Sequence, residues 1–353
     1  MQVAMLLTAM SQAGASDLHL KAGAPPILRV DGVLRPMDEI PPLDGQAILS
    51  LYDQLTTQEQ KAEFGKKLEL DFSYHQSTLG RFRVNASRQR GSISLALRRI
   101  ALEIPSIDEL LLPAVCKELA LRRQGLILLT GPTGSGKSTT LAAMIDHINH
   151  HRHARIVTVE DPIEYIYHDD HSLITQREIG RDTHSFAIAT RQALRQDPDV
   201  ILVGEMRDRE TMAACLTAAE TGHLVMSTLH TNSGPQTIDR IVDTFADHQQ
   251  NQIRMQLSLT LLAALSQSLL PRLDARGRLP AVEVMLANSA IRNLIREGKT
   301  HQMESVIQTG RQVGMQTMDQ ALQDLYRAGH IDIETATAHA HNADTFRASL
   351  AAG

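Results

Sequence analysis

The rhythm of apolar and polar positions changes twice along the chain. From residue 16 to about residue 100, apolar residues come in short alternating runs bounded by turn residues, the period of half-buried strands. ILRVDGVLR (27–35) sets two such runs around Asp31-Gly32, a pair suited to the positive φ angles of a tight hairpin. LDFSYH, GRFRVNASRQ and SISLALRRI continue the pattern, while QAILSLYDQLTTQEQKAEF (46–64) has helical spacing. These elements predict a small α+β domain over residues 1–100. ALEIPSIDELLLP, with prolines at 105 and 113, reads as a linker within residues 101–118 that leads into a helix.

The texture then becomes that of an α/β domain. Apolar strands (LILLT, RIVTVE, DVILVGE, HLVMST) alternate with helical segments (STTLAAMIDHINHH, SFAIATRQALRQ, RETMAACLTAAE), as in a parallel sheet covered on both faces over residues 119–250. Residues 251–353 read as wholly helical. Within them LSLTLLAALSQSLL (257–270) reads as a buried helix, because Ser, Thr and Gln interrupt it and it falls short of the roughly 20 apolar residues of a membrane span. SAIRNLIREGK (289–299) is bracketed as a short helix by Ser289 as N-cap and by Gly298. Its Ile291, Leu294 and Ile295 share one stripe, and Arg292 and Arg296 lie on another, read as a solvated basic face.

Composition narrows the function. The 353 residues carry a net charge of -5, 3% aromatic residues and no Trp, which supplies neither a phosphate-neutralising basic excess nor a base-stacking platform. Nucleic acid is therefore not an expected partner. Cys116 and Cys215 stand apart without CxxC spacing, so neither a disulfide framework nor a four-cysteine zinc site is expected. The N-terminal MQVAMLLTAM has no Lys or Arg before its apolar part and does not read as a signal peptide, so a cytoplasmic location is expected without insertion into the membrane.

GPTGSGKST (131–139) follows the predicted strand 126–130 and opens a helix. In that setting Gly131, Pro132, Thr133, Gly134, Ser135 and Gly136 form a loop whose backbone N–H groups turn toward an anion at a helix N-terminus. Lys137 is expected to reach the β- and γ-phosphates of ATP, Ser138 to hold Mg²⁺, and Thr139 to close the motif. Hydrolysis also needs acids at the ends of neighbouring strands. RIVTVEDPIE offers Glu160, Asp161 and Glu164, DVILVGEMRD offers Glu205, and HLVMSTLHTN adds Thr228 and His230 as candidate γ-phosphate sensors. His223, at the start of that last strand, is hard to bring near phosphate. Arg81 and Arg83 share one face of a strand and Arg98 follows on another. They fit either a solvated basic edge or arginine fingers directed at a neighbouring subunit's ATP.

GPTGSGKST, TVEDPIE, ILVGEMRD and GHLVMSTLHT together resemble the secretion and pilus ATPases, and GASDLHL, FRVN and AIRNLIRE resemble the retraction motors of type IV pili among them. The resemblance spans nearly the whole chain. It implies an N-terminal PAS-like α+β domain followed by a RecA-like P-loop ATPase domain with a helical C-terminal region. It also implies a homo-hexamer at the inner face of the cytoplasmic membrane, an inner-membrane pilus platform protein as partner, and in some systems an accessory retraction ATPase. Carried over by position, Lys137 and Ser138 are the Walker A residues, Glu164 the catalytic glutamate and Glu205 the Walker B acid, which meets Mg²⁺ directly or through water. His223 and His230 fall in the family's His box, Arg81, Arg83 and Arg98 match its intersubunit arginines, and the AIRNLIRE helix is implied to couple turnover to movement. The chain lacks the four-Cys module of assembly and type II secretion ATPases, which favours retraction. HTNSGPQTIDR and the tail after 340 depart from the family's usual wording. Rival readings are an accessory, assembly or secretion motor of the same superfamily, a non-hydrolysing nucleotide-dependent scaffold, and a nucleic-acid translocase.

Overall fold

The computed structural model describes residues 2–30, 32–100, 103–273, 277–341, 343, 346–347 and 350. The chain divides into two compact units, Met1–Glu103 and Ile104–Gly353.

The first unit opens with helix α1 (Val3–Gln12), which the strand pattern did not announce. Strands β1 (Asp17–Lys21), β2 (Ile27–Val30) and β3 (Val33–Pro36) follow. β2 and β3 pair antiparallel as the expected hairpin, and Asp31 of its turn lies outside the described residues. The helical stretch is two helices, α2 (Gly45–Leu55) and α3 (Gln58–Lys67), broken where Thr57 turns its side chain to Gln60 in a capping box. β4 (Glu69–Gln76), β5 (Gly80–Gln89) and β6 (Ser92–Arg99) complete a sheet of order β3-β2-β1-β6-β5-β4, antiparallel throughout. Strict alternation puts Leu18, Leu20, Phe82, Val84, Leu95 and Leu97 into one core with Leu6, Leu7, Met10, Ile48 and Leu51 of α1 and α2.

The second unit begins inside the stretch read as a linker: Ile107, Leu112 and Cys116 are buried in its core, Cys116 on α4 (Val115–Ala120). β7 (Gly125–Thr130), α5 (Lys137–His151), β8 (Arg155–Glu160), β9 (Leu173–Glu178), α6 (Phe186–Ala193), β10 (Val200–Val203), α7 (Arg209–Glu220) and β11 (Leu224–Leu229) give the alternation expected, with β9 as an added edge strand. Its QRE is too polar to stand out as a strand.

Beyond residue 250 the expectation of an all-helical region fails. α8 (Gly234–Asp243) and α9 (Asp247–Thr260) are followed by β12 (Leu261–Pro271) and β13 (Arg278–Leu286), so only the LSLT end of LSLTLLAALSQSLL is helical. β12 lies parallel to β7 and antiparallel to β13, in a sheet of order β13-β12-β7-β11-β10-β8-β9. A strand buried on both faces shows the same unbroken apolar run as a buried helix, and here the open edge of β7 decides. The chain ends in α10 (Ser289–Glu297), α11 (Met303–Thr309), α12 (Met318–Arg327) and α13 (Ile333–His339). Asn288, not Ser289, caps α10, its side chain accepting from the Ile291 amide at 2.9 Å, and Gly298 ends it in the left-handed region.

Candidate active site

The loop between β7 and α5 bends through Gly131, Gly134 and Gly136, with φ of 136°, 80° and 87°. At Gly131 space matters as much as angle, since a Cβ there would stand 2.3 Å from the Gln267 carbonyl oxygen of β12. Lys137 is buried at the first turn of α5, and its Nζ donates to the Gly131 and Pro132 carbonyls at 2.8 and 2.9 Å. Burial holds its ammonium below the ordinary lysine range, while the charges of Glu205 and then Glu164 work in the opposite direction. The fold thus brings Lys137 into the field of both acids. The Ser135 hydroxyl is buried with no hydrogen-bond partner, an unmet polar group inside the cradle. Ser138 is exposed beside it. A glycine-bent loop, a lysine and an orphaned hydroxyl at a helix N-terminus suit a polyphosphate.

Two loops at the C-terminal ends of β8 and β10 bring acids toward this cradle. On β8, Glu160 is buried and its Oε1 accepts from the Thr158 hydroxyl at 2.6 Å and from Gln176 Nε2 at 3.2 Å. Burial pushes its carboxyl up to about 7, and a hydrogen bond from the Glu164 backbone amide partly offsets that. Glu160 is therefore an anchor for the loop, whereas Asp161 and Glu164, one and four residues on, are exposed. Tyr165 pins the same loop to the first turn of α5 through a 2.9 Å contact between its hydroxyl and that of Thr139. Gln176 of β9 adds a bond from Nε2 to the Tyr165 carbonyl at 2.8 Å.

After β10, Glu205 sits between two side chains, with Arg207 Nε 2.8 Å from Oε2 and His230 Nε2 3.0 Å from Oε1. Thr228 donates its hydroxyl to the Gly204 carbonyl at 2.7 Å. It fastens the Glu205 loop to β11 and leaves His230 as the His-box side chain next to the acid. Beneath the loop, Thr130 donates to Ser266 of β12 at 2.9 Å, and Glu283 of β13 accepts from the Gly234 amide at the start of α8 at 2.8 Å. Among the described residues no group of three or more His, Cys, Asp or Glu could hold a metal ion by itself. A metal at this site would depend on a hydroxyl such as Ser138 and on the phosphates themselves.

With that geometry in place, comparison with known proteins is decisive: residues 2–352 match the family described as Type II/IV secretion system protein. The chain belongs to this family. Among its relatives the type IV pilus retraction ATPase PilT of Pseudomonas aeruginosa is 46% identical over 346 residues, covering 98% of this chain and 100% of that protein. The type IV pilus ATPase PilU of the same organism is 41% identical over 353 residues, 100% of this chain and 92% of the relative. The crystal structure of the pilus retraction motor PilT with bound ADP superposes with a TM-score of 0.92 at 46% identity, covering 98% of both chains.

Of the remaining candidates of this secretion-family member, His223 belongs to the second unit and three arginines to the first. His223 immediately precedes β11, its carbonyl accepting from the Gly125 amide at the start of β7, so it sits at the end of these strands opposite the phosphate loop. Arg81, Arg83 and Arg98 belong to the first unit. There Arg83 and Arg98 are cross-strand neighbours. Arg98 Nε donates to Oδ1 of the buried Asp17 at 2.7 Å, and Arg83 Nε lies 4.0 Å from Asp71. The residues that sequence reasoning missed, Tyr165, Gln176 and Gln267, lie on a loop, on the polar edge strand β9 and on β12, and a Gln inside the run 261–271 was the one visible signal.

Proposed function

We propose that this chain is the ATP-hydrolysing motor of type IV pilus retraction, acting as a homo-hexamer at the inner face of the cytoplasmic membrane. The observation that carries the reading is the full-length likeness to a retraction ATPase, which spans both units. In the proposed reaction Lys137 and the loop amides hold the β- and γ-phosphates of ATP, and Ser138 and Glu205 hold Mg²⁺, directly or through water. When bound there, the metal would supply positive charge against the charge that develops on the phosphoryl oxygens. Glu164 orients a water and accepts its proton as the new O–P bond forms, while the bond from γ-phosphorus to the β,γ-bridging oxygen breaks and ADP leaves. His230 beside Glu205 is suited to report whether the γ-phosphate is present. Arg81, Arg83 and Arg98 are proposed to serve the nucleotide of a neighbouring subunit, and the resulting domain motion would be relayed to a membrane platform protein.

Purified Lys137→Ala and Glu205→Gln variants are expected to stay folded and release no phosphate above background. Near-parental turnover in either one would overturn the site assignment.

A further inference from the structure

Gln267 has a place in the fold that the reaction above does not use. β12 runs parallel to β7 with Ser266 opposite Thr130, so the next residue, Gln267, lies under the phosphate loop at the point where the loop leaves the sheet. It is 2% exposed. Its Nε2 donates to the Ser135 carbonyl at 2.7 Å, and its Oε1 accepts from the Thr140 hydroxyl at 2.9 Å. One carboxamide thus joins the middle of the loop to the first turn of α5, on either side of Lys137. The loop is moulded on this residue. A Cβ at Gly136 would stand 2.8 Å from Gln267 Nε2, and one at Gly131 would meet the Gln267 backbone.

We infer that Gln267 is a positioning residue of the nucleotide site: its carboxamide holds the phosphate loop in its binding shape before nucleotide arrives. The inference rests on the reading of this loop as an ATP site. A preformed ring of amides binds phosphate without first being ordered, and a loop freed from its strut must lose that freedom on binding. Once ATP is bound, the phosphates themselves organise the loop, so the loss falls on affinity rather than on the chemical step. Burying a Gln is costly without hydrogen-bond partners, and here both ends of the carboxamide are paired, which accounts for a long polar side chain at this buried position of β12.

The test is a double-mutant cycle on the full-length protein with Gln267→Met, which keeps the volume and removes both bonds, and Thr140→Val, which removes one. ADP affinity is read by calorimetry, and kcat and KM by phosphate release. Gln267→Met is expected to weaken ADP binding and raise the KM for ATP at least fivefold with kcat within threefold of the parent. Thr140→Val is expected to shift both in the same direction by a smaller factor, and the double variant to be no weaker than Gln267→Met alone. ADP affinity within fivefold of the parent in Gln267→Met, or a fall in kcat at constant KM, overturns the inference. If Gln267→Met fails to fold, Thr140→Val decides, and unchanged affinity in it overturns the proposal. A parent protein that binds no ADP takes down the ATP-site reading as well, whereas a binding parent with indifferent variants takes down this inference alone.

Discussion

Glu160 ends β8 with its carboxyl buried, bonded by Thr158 and Gln176, and pushed by burial from an ordinary 4.5 up to about 7. Between those two values the folded protein binds more protons than the unfolded chain, so stability falls as pH rises through that window. The displacement is equivalent to about 3 kcal/mol at most. Glu160→Gln, which keeps the shape and an acceptor oxygen, is expected to flatten the fall in urea midpoint between pH 5 and pH 7 (about the window of the displaced carboxyl). An unchanged slope would show that Glu160 is not the group that titrates. The two cysteines make a simpler case. Burial pushes the Cys116 and Cys215 thiols up to about 12, so neither carries appreciable thiolate at neutral pH. Iodoacetamide should label both in urea and neither in the native protein, and rapid native labelling would place a thiol at the surface.

At the scale of elements, α10 is where periodicity was most informative and still incomplete. Ile291, Leu294 and Ile295 form the stripe that the i, i+3, i+4 spacing announced, and all three are buried in one core with Ile253 and Leu257 of α9. Their truncation to Ala would cost about 2–5 kcal/mol each, so these positions cannot separate coupling from folding. Arg292 departs from the solvated basic face expected of it. Its guanidinium donates to the Ala287, Ser258, Leu259 and Leu261 carbonyls at 2.7, 2.5, 2.9 and 3.0 Å, so it caps the C-terminus of α9 where β12 begins. Burial, and then the charge of Arg296, hold its pKa below the usual arginine range. A planar fork can reach four carbonyls and an ammonium cannot, so Arg292→Lys should lose about 2 kcal/mol in urea denaturation, close to the loss in Arg292→Ala. Full rescue by Lys would reduce Arg292 to a point charge at a helix end. A spacing of four placed Arg292 and Arg296 on one face, but only the tertiary fold put the end of α9 within reach of the first and left the second exposed.

For the whole molecule, no helix among the described residues is long and apolar enough to cross a membrane, and the net charge of -5 disfavours binding along nucleic acid. In a strain lacking this protein, surface pili should persist but stay static, whereas loss of pili would point to an assembly motor instead. Purified protein should show no stimulation of phosphate release by DNA. The phosphate loop of the candidate site was legible in the chain because its residues are contiguous: a nine-residue motif that runs from the end of β7 into α5 needs glycines and a lysine in fixed order, and Glu164 and Glu205 follow the ends of β8 and β10. Local spacing likewise determined the hairpin β2–β3 and the apolar stripe of α10. What only the tertiary structure decided depends on partners far along the chain. β12 is a strand because β7 and β13 offer hydrogen bonds on both of its sides, and no local propensity in LLAALSQSLLP records that offer. Gln267 meets Ser135 across 132 residues, and Glu160 becomes an anchor only when Gln176 of β9 reaches its buried carboxyl. Contiguous motifs are written in sequence because neighbours along the chain build them; struts and buried charges arise from packing between distant segments, and their physics appears only when those segments meet.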